Sequence, residues 1–499
     1  MAMPSVPSTL DNEFVIHPMV IDYQPLVYDS LVQYGTVKSE RGPYMEADIF
    51  APTFEGSLAE SYEVDRKKTT YTFKLRADAK SPYGNTLSAD DVVWAFDRKL
   101  SLKGNSALNM ERMGVQDISQ VTKVDDSTVR IKTDRFRPLF LHIMTGFFGN
   151  SIWDSTEVKK HVTGADPWAK EWLARNDAGY GAYHAVSYRP GSEMRLEANP
   201  GYWGEKPYFD KIVWKEVPSP ANRLALLKQQ SVDYAFGLTP KARSELANDE
   251  AVKILSHPSN KFIEIGFNTE TPPFDNKEFR RALAYAFPYQ EVLDSVYFGE
   301  AKTRKSVVPE VYPGAIPAWE GKTDLNKARE LLDASGVPKS TTISIAIDSS
   351  NAEAEQIGLL AKTAFQKLGL QTQVDKQAPA TFSDRLGKRE LPTYIFSDQP
   401  IYPDAGFSTW LWFHRENFPA WTDYRNPEVE KLFETADAKT DAEARLADYE
   451  TVQKLIIEDM PVIPGVEPGV HETFAPSIEG YAWYPDNAVR IQNLTRAEQ

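Results

Sequence analysis

A stretch in the middle of the chain shows the clearest change of hydrophobic period. β-Branched and aromatic residues predict a strand over residues 262–267, and the prolines and Asn/Asp residues of 269–276 predict a turn. A helix follows, with Asp275 as its expected N-cap, Glu278 three residues later and Pro288 after its end. Apolar residues then recur with the period of one helix face: Phe279, Ala282, Leu283, Ala286 and Phe287.

Beyond this stretch, predicted helices and strands alternate. Asp324 is the expected N-cap of a helix that Gly336 closes, and Gly369 closes a longer helix. Alternating apolar residues predict strands over 343–347 and from 370 to 374. Because strands that alternate with helices form βαβ units, the pattern predicts an α/β fold class with a mostly parallel sheet.

The first hundred residues carry two further local signals. Tyr71, Phe73 and Leu75 alternate with polar residues, which predicts a half-buried strand. Ser88 followed by Asp91 at the third helical position predicts a helix that begins with a capping box. These signals indicate scaffold and suggest no chemistry.

Composition narrows the class of protein. The chain has 499 residues, which is the length of about three domains. A net charge of −15 argues against nucleic acid or an anionic membrane as the main partner. There is no cysteine, so disulfides, thiolate metal sites and thiol nucleophiles are excluded. No apolar run approaches the ~18 residues that span a bilayer, so no membrane insertion is expected.

Motifs that carry catalysis are missing from the sequence. It contains no GxxxxGK[ST] phosphate loop, no HExxH zinc helix and no GxSxG elbow. The seven histidines never fall at the spacing of paired helical metal ligands. We therefore expect no enzyme activity, no metal and no cofactor. A hydrolase that uses a pair of carboxylates stays open as an alternative, because such a pair cannot be recognised among 71 acidic residues.

The central stretch resembles a motif of the solute-binding proteins of ABC importers, specifically the dipeptide/oligopeptide-binding family (family 5, cluster C). Further stretches at 10–34, 57–100, 181–236 and 421–464 resemble the same family, so the resemblance covers nearly the whole chain. The matched residues of the central motif are Phe267, Asn268, Pro272, Pro273, Phe274, Asp275, Asn276, Phe279, Arg280, Ala282, Leu283 and Ala286.

The resemblance implies a two-lobed periplasmic-binding-protein fold (type II-like) with an extra subdomain in the first lobe. The expected first lobe is discontinuous, comprising residues 1–45, 172–263 and 478–499, with the subdomain at 46–171 and the second lobe at 264–477. The resemblance also implies a monomer that closes on a small-molecule ligand by a hinge motion and delivers it to an ABC permease of the inner membrane. Alternatives of another class are the hydrolase and a signalling or chaperone-like module.

The first residues, MAMPSVPSTL, lack the basic and apolar regions of an export signal. The sequence is therefore that of a cytosolic protein or of a mature form whose signal was removed. The resemblance favours the mature form, with a periplasmic or other extracytoplasmic location.

Candidate ligand-binding residues follow a predicted strand at Tyr394–Phe396. A polar loop at the carboxyl end of a strand is where α/β proteins usually bind ligands. His17 is added because the segment around it lies beside the ligand in relatives of the resembled family, and Phe382 completes the set. The candidates within and after the loop are Asp398, Gln399, Pro400, Ile401, Tyr402, Asp404 and Trp410.

Ile401 departs from the family pattern at an informative position. The matching stretch of the family reads W-x-x-D-Y-x-[DE]-P, and its first Asp takes the α-ammonium group of a bound peptide. Here Ile401 stands in place of that Asp and Asp398 in place of the Trp. We therefore expect a ligand that is not anchored by a free peptide N-terminus. Peptide binding remains the alternative, and the sequence does not select among peptides, sugars, opines and aromatic solutes.

Overall fold

The computed structural model describes residues 1–11, 13–14, 18–145, 151–246 and 249–497. The chain divides into two compact units. Unit 1 comprises Met1–Ala242, Leu246–Ser256 and His471–Gln499, and unit 2 comprises Arg243–Glu245 and His257–Val470. The expected lobe boundaries at 263/264 and 477/478 stay predictions. The subdomain at 46–171 lies within unit 1 and stays a prediction.

Up to residue 257 the chain forms eight α-helices and thirteen strands among the described residues, besides two short 3-10 helices. The helices are α1 (Pro18–Val27), α2 (Ala89–Leu102), α3 (Ala107–Met113), α4 (Phe140–Thr145), α5 (Ser155–Val158), α6 (Lys170–Leu173), α7 (Pro220–Lys228) and α8 (Pro240–Ser244). The strands are β1 (Ala2–Met3), β2 (Val32–Tyr34), β3 (Thr36–Lys38), β4 (Met45–Ala47), β5 (Phe54–Gly56), β6 (Ala59–Val64), β7 (Thr70–Leu75), β8 (Val121–Asp125), β9 (Thr128–Lys132), β10 (Tyr183–Arg189), β11 (Glu193–Ala198), β12 (Lys211–Glu216) and β13 (Lys253–His257).

Unit 2 contains the next six strands and eight helices of the described chain. The strands are β14 (Phe262–Phe267), β15 (Ala301–Thr303), β16 (Thr342–Asp348), β17 (Gln371–Gln377), β18 (Thr393–Asp398) and β19 (Val462–Pro468). The helices are α9 (Lys277–Ala286), α10 (Tyr289–Ser295), α11 (Leu325–Ser335), α12 (Ala352–Gln366), α13 (Pro379–Gly387), α14 (Ala405–Phe413), α15 (Pro427–Ala436) and α16 (Ala442–Asp459). The chain then forms β20 (Val470–Phe474), β21 (Ile478–Glu479), β22 (Ala482–Trp483) and β23 (Thr495–Arg496).

Unit 1 is built on two four-stranded sheets, ordered β1-β12-β11-β10 and β6-β7-β9-β8. The predicted capping box at the start of α2 is confirmed, because Asp91 accepts from the backbone N–H of Ser88 at 2.8 Å. None of the helices in the described part of the chain combines the length and the apolar composition needed to cross a membrane.

The sheet of unit 2 has six strands in the order β15-β19-β14-β18-β16-β17. The expectation of a mostly parallel sheet is wrong: β16 pairs in parallel with β17 and β18, whereas β14 pairs antiparallel with both β18 and β19. Helical crossovers join β16, β17 and β18 through α12 and α13, and parallel pairing requires such crossovers.

The central stretch forms the predicted strand, turn and helix as β14 and α9. The N-cap of α9 is Asn276 and not the predicted Asp275, because the Asn276 side-chain oxygen accepts from the Phe279 N–H at 3.0 Å. The Asn276 amide group also donates to the Ser335 carbonyl at 3.0 Å, which ties the start of α9 to the end of α11. The N-cap is therefore the residue whose side chain contacts both the first turn of α9 and the end of α11.

Candidate ligand-binding site

One face of the unit 2 sheet carries aromatic and acidic side chains where β14 pairs with β18. Because side chains directly opposite each other in a ladder point to the same face, the antiparallel register brings six residues together. The opposed pairs are Phe262 with Asp398, Glu264 with Phe396 and Gly266 with Tyr394. A Cβ atom at Gly266 would lie 2.3 Å from the Tyr394 ring, so the close approach of these strands requires glycine at this position.

Aromatic rings cover this face. The Trp412 ring packs edge-on against Phe262 with a centroid separation of 5.1 Å, and Trp421 packs in the same way against Phe396 at 4.4 Å. Phe396 and Trp421 are partly exposed and pack against a buried cluster that contains Phe382 and Tyr394. Phe382, a predicted site residue on α13, therefore supports the aromatic face from the core.

The loop between β18 and α14 is held from within unit 2. The Pro400 carbonyl accepts hydrogen bonds from the Asn260 amide group at 2.6 Å and from the Tyr312 hydroxyl. Asn260 is completely buried, and so is Tyr402, whose ring packs on Phe407 at 4.9 Å. Two of the predicted site residues, Pro400 and Tyr402, thus anchor the loop.

Asp404 is the N-cap of α14 and the partner of a buried arginine. Its carboxylate accepts from the Phe407 N–H at 2.7 Å. The Arg445 guanidinium contacts both carboxylate oxygens of Asp404, at 2.6 and 2.9 Å, and also reaches Asp437 at 3.1 Å. Only 9% of Asp404 is exposed, so these contacts occupy a buried carboxylate and give it a structural role.

Trp410 lies on α14 and is almost completely buried. Its backbone carbonyl accepts from the Asn417 amide group at 2.6 Å, and its ring centroid is 5.7 Å from that of His414. The aromatic segment predicted after the loop is therefore mainly the core of α14. Ile401 and Gln399 are only partly buried.

Asp398, at the end of β18, is exposed to solvent. Its carboxylate accepts from the Gln399 N–H at 2.8 Å. Although solvent reaches the group, the surrounding protein raises the pKa of Asp398 to about 7, and the Gln399 N–H and the nearby Trp412 indole oppose this rise. Asp398 is thus a solvent-exposed carboxylate that is surrounded by protein atoms, with the Gln399 N–H and the Trp412 indole as its neighbours.

Glu264 belongs to a buried ionic group on the same face. Arg304 donates to the Glu264 carboxylate at 2.6 Å, and its guanidinium lies 4.0 Å from the centre of the Phe262 ring. A second buried acid, Glu467, accepts from the Glu310 N–H at 3.2 Å. Burial raises the pKa of Glu264 and of Glu467 to about 7 in each case, and the charge of Arg304 opposes both shifts.

The structure thus brings Asp398 and Phe382 to one sheet face and buries Tyr402, Asp404 and Trp410 at the base of the loop. His17 lies outside the described residues. In the described part of the chain, no three His, Asp or Glu side chains gather in a way that could hold a metal ion. Sequence reasoning missed five residues of this face, namely Phe262, Glu264, Phe396, Trp412 and Trp421.

A sequence signal for part of that face does exist. Tyr394, Phe396 and Asp398 alternate along β18 and therefore share a side of the sheet. Nothing local indicates that β14 is the partner of β18, so Phe262 and Glu264 could not be added from the sequence.

Comparisons with known proteins agree on one family. The model of the bacterial extracellular solute-binding proteins, family 5 (middle region), matches residues 53–420. The probable D,D-dipeptide-binding periplasmic protein DdpA of Escherichia coli is 27% identical over 485 residues, which cover 96% of this chain and 90% of that protein. The dipeptide-binding protein of Escherichia coli is 26% identical over 88% of this chain and 85% of that protein.

Solved structures show the same fold. The periplasmic binding protein DppA of Helicobacter pylori, in complex with the peptide STSA, superposes with a TM-score of 0.84 at 21% identity, over 100% of this chain and 97% of that one. The two-lobed α/β fold class expected from the sequence is confirmed.

Proposed function

This chain belongs to the bacterial extracellular solute-binding proteins of family 5, and from that premise we propose that its ligand is a small organic solute that is not anchored by a free peptide N-terminus. The chain is the substrate-binding component of an ABC importer. What we propose beyond this role is how the solute is anchored.

The observation that carries this proposal is the lack of a free carboxylate at residues 401–404. Ile401, which stands where the resembled family has its ammonium-binding Asp, offers neither charge nor hydrogen bond. Asp404 cannot replace that Asp, because Arg445 and the Phe407 N–H already engage both of its oxygens. A buried ammonium group without a carboxylate partner costs several kcal/mol, so the usual anchor is unfavourable here.

Isothermal titration calorimetry of di- to pentapeptides against the same peptides N-acetylated tests this anchoring. We expect no loss of affinity on acetylation for any peptide that binds. Micromolar binding that vanishes on acetylation contradicts the proposal and restores the peptide alternative. The Ile401→Asp variant is the converse test, since it should weaken the native ligand and favour free amines.

Capture outside the cytoplasm and delivery to a permease of the inner membrane complete the proposed role. We expect a monomer that closes around its ligand by a hinge motion. Closure should reduce the radius of gyration in small-angle scattering, and binding should stabilise the fold by ~2.7 kcal/mol at a hundredfold excess over Kd. A confirmed ligand complex without compaction contradicts the hinge.

Peptide uptake is the second candidate, and the observation that favours it is the naming of the relatives. Two of them, at 27% and 26% identity over most of the chain, are named for binding dipeptides. The acetylation experiment separates the two candidates directly.

We also propose that the protein carries out no reaction on its ligand. The missing catalytic motifs support this. Mass spectrometry of a bound solute after incubation with pure protein checks it, since a chemically changed solute contradicts the proposal.

A further inference from the structure

We propose that Asp398, with the neighbouring rings of Phe396, Trp412 and Trp421, binds a cationic nitrogen of the ligand, and that the solute is an organic cation carrying an amine or guanidinium group. This inference rests on the proposed function and adds the class of solute to it. The amine or guanidinium group would belong to a part of the solute other than a free peptide N-terminus.

The position of Asp398 makes it available to a ligand. It is the last residue of β18, and its carboxylate is exposed to solvent. Among the described residues, the Gln399 N–H donates to it at 2.8 Å and the Trp412 indole N–H lies beside it. No basic side chain of the described residues pairs with it, in contrast to Asp404. Asp398 therefore has acceptor capacity that a ligand can fill.

The local charge favours a cation over an anion. Glu264 lies on the same sheet face, and the charge of Asp398 contributes to raising the pKa of Glu264. Arg304, the nearest guanidinium of that ionic group, is already engaged by Glu264 and by the Val307 carbonyl at 2.6 Å. A positively charged ligand group would be attracted to this face, and a ligand carboxylate would be repelled.

The aromatic rings suit the same class of ligand. Cations are attracted to ring faces, and the protein already places the Arg304 guanidinium 4.0 Å from the centre of the Phe262 ring. Trp412 packs on the same Phe262 and lies close to the Asp398 carboxylate. The Trp412 indole N–H is buried and has no partner of good hydrogen-bond geometry among the described residues. Because an indole N–H only donates, it does not bind a cationic nitrogen directly, and what Trp412 offers the cation is its ring.

The rigidity of the loop keeps this anchor away from residue 401. Asn260 and Tyr312 hold the Pro400 carbonyl, and Arg445 holds Asp404. A shift of the loop that brought the Asp398 carboxylate to the position of the Ile401 side chain would break these buried contacts. The cation would therefore be displaced from the site that the resembled family uses for a peptide N-terminus.

The test is isothermal titration calorimetry on the purified full chain, freed of co-purified solute, with pairs of probes that differ in charge. The pairs are phenethylamine with 2-phenylethanol, butylguanidine with N-butylurea, and Nα-acetyl-lysine amide with Nα,Nε-diacetyl-lysine amide. We expect the cationic member of at least one pair to bind about 10- to 100-fold more tightly than its neutral partner.

Variants assign that preference to the site. Asp398→Asn is nearly isosteric and should abolish the preference for the cation, whereas Asp333→Asn, at an exposed carboxylate on α11, should leave it unchanged. Trp412→Phe should weaken the cationic probe by a smaller factor. Circular dichroism checks that each variant is folded.

Three results would overturn the inference: equal affinity within every pair, no binding of any cationic probe at millimolar concentration, or an unchanged preference in Asp398→Asn. None of these results bears on anchoring at residue 401. Failure of the proposed function has a different signature, which is peptide affinity that depends on a free N-terminus and survives in Asp398→Asn.

Discussion

Asp398 and Asp404 flank one short loop of unit 2, yet the fold uses them in opposite ways. Asp404 is buried, caps α14 and contacts Arg445 through both oxygens. Asp398 is exposed, and its hydrogen bond comes from the adjacent residue. Both residues are aspartates, so the residue type does not separate the two roles. What separates them is a partner 41 positions away in the sequence.

The comparison shows why a buried carboxylate and an exposed one suggest different functions. A buried charge must be paired, since the cost of removing it from water exceeds that of any other polar group. Once paired, the carboxylate has little capacity left for a ligand. An exposed carboxylate that the fold leaves unpaired can change its partner without loss of stability, which is the property that a binding site needs.

The largest effect is expected for Arg445→Ala. The substitution leaves Asp404 and Asp437 buried without their cation, and the free energy of unfolding should fall by about 3–5 kcal/mol. Chemical denaturation followed by tryptophan fluorescence measures it. The control is Lys327→Ala, which removes an exposed ion pair with Glu330 and should cost about 0.5 kcal/mol or less. Equal losses in the two variants would contradict the assigned role of Arg445.

A second prediction concerns Glu264, which is paired with Arg304 and still has a raised pKa of about 7. The unfolded chain releases this proton near pH 4.5, whereas the folded chain keeps it until about pH 7. The free energy of unfolding should therefore decrease as the pH rises from 5 to 8, by about 1–3 kcal/mol for this residue. Glu264→Gln should make that decrease smaller, and an unchanged pH profile from denaturation at each pH would contradict the shift.

A third prediction concerns the contact that immobilises the loop between the two aspartates. Tyr312→Phe removes the hydroxyl that donates to the Pro400 carbonyl and should lower the free energy of unfolding by about 1–2 kcal/mol. Tyr285→Phe is the matched control, because no hydrogen bond of the Tyr285 hydroxyl occurs among the described residues. A difference of zero between the two variants would mean that the loop does not depend on this contact.

The smallest effect is expected for Asp398→Asn. Because the carboxylate is exposed and has no cationic partner in the described part of the chain, its removal breaks no ion pair, and its raised pKa of about 7 means that folding does not favour the charged form. The free energy of unfolding should therefore fall by no more than about 0.5 kcal/mol. Denaturation under the conditions used for Arg445→Ala measures the difference. A loss comparable with that of Arg445→Ala would make Asp398 a structural residue and remove the contrast between the two aspartates.

Several features of unit 2 follow from the sequence alone. Asp324 caps α11 and Gly336 ends it with a positive φ of 67°, both as predicted. The strand before the loop was predicted at Tyr394–Phe396 and extends over Thr393–Asp398. These features depend on residues a few positions apart, so the sequence specifies them through short-range hydrogen bonds and periodicity. The family could also be recognised from the sequence, because each of its motifs is a run of neighbouring residues.

Features that join distant segments depend on the tertiary structure. The register that sets Phe262 opposite Asp398 joins strands more than a hundred residues apart, and the antiparallel direction of β14 has no local signal. Arg445, which lies on α16, pairs with Asp404. The sequence alone therefore determined α11, the strand of the site and the family. Long-range packing decided which carboxylate is buried and paired and which one is left for a ligand, because burial and pairing belong to the assembled fold and not to any local segment.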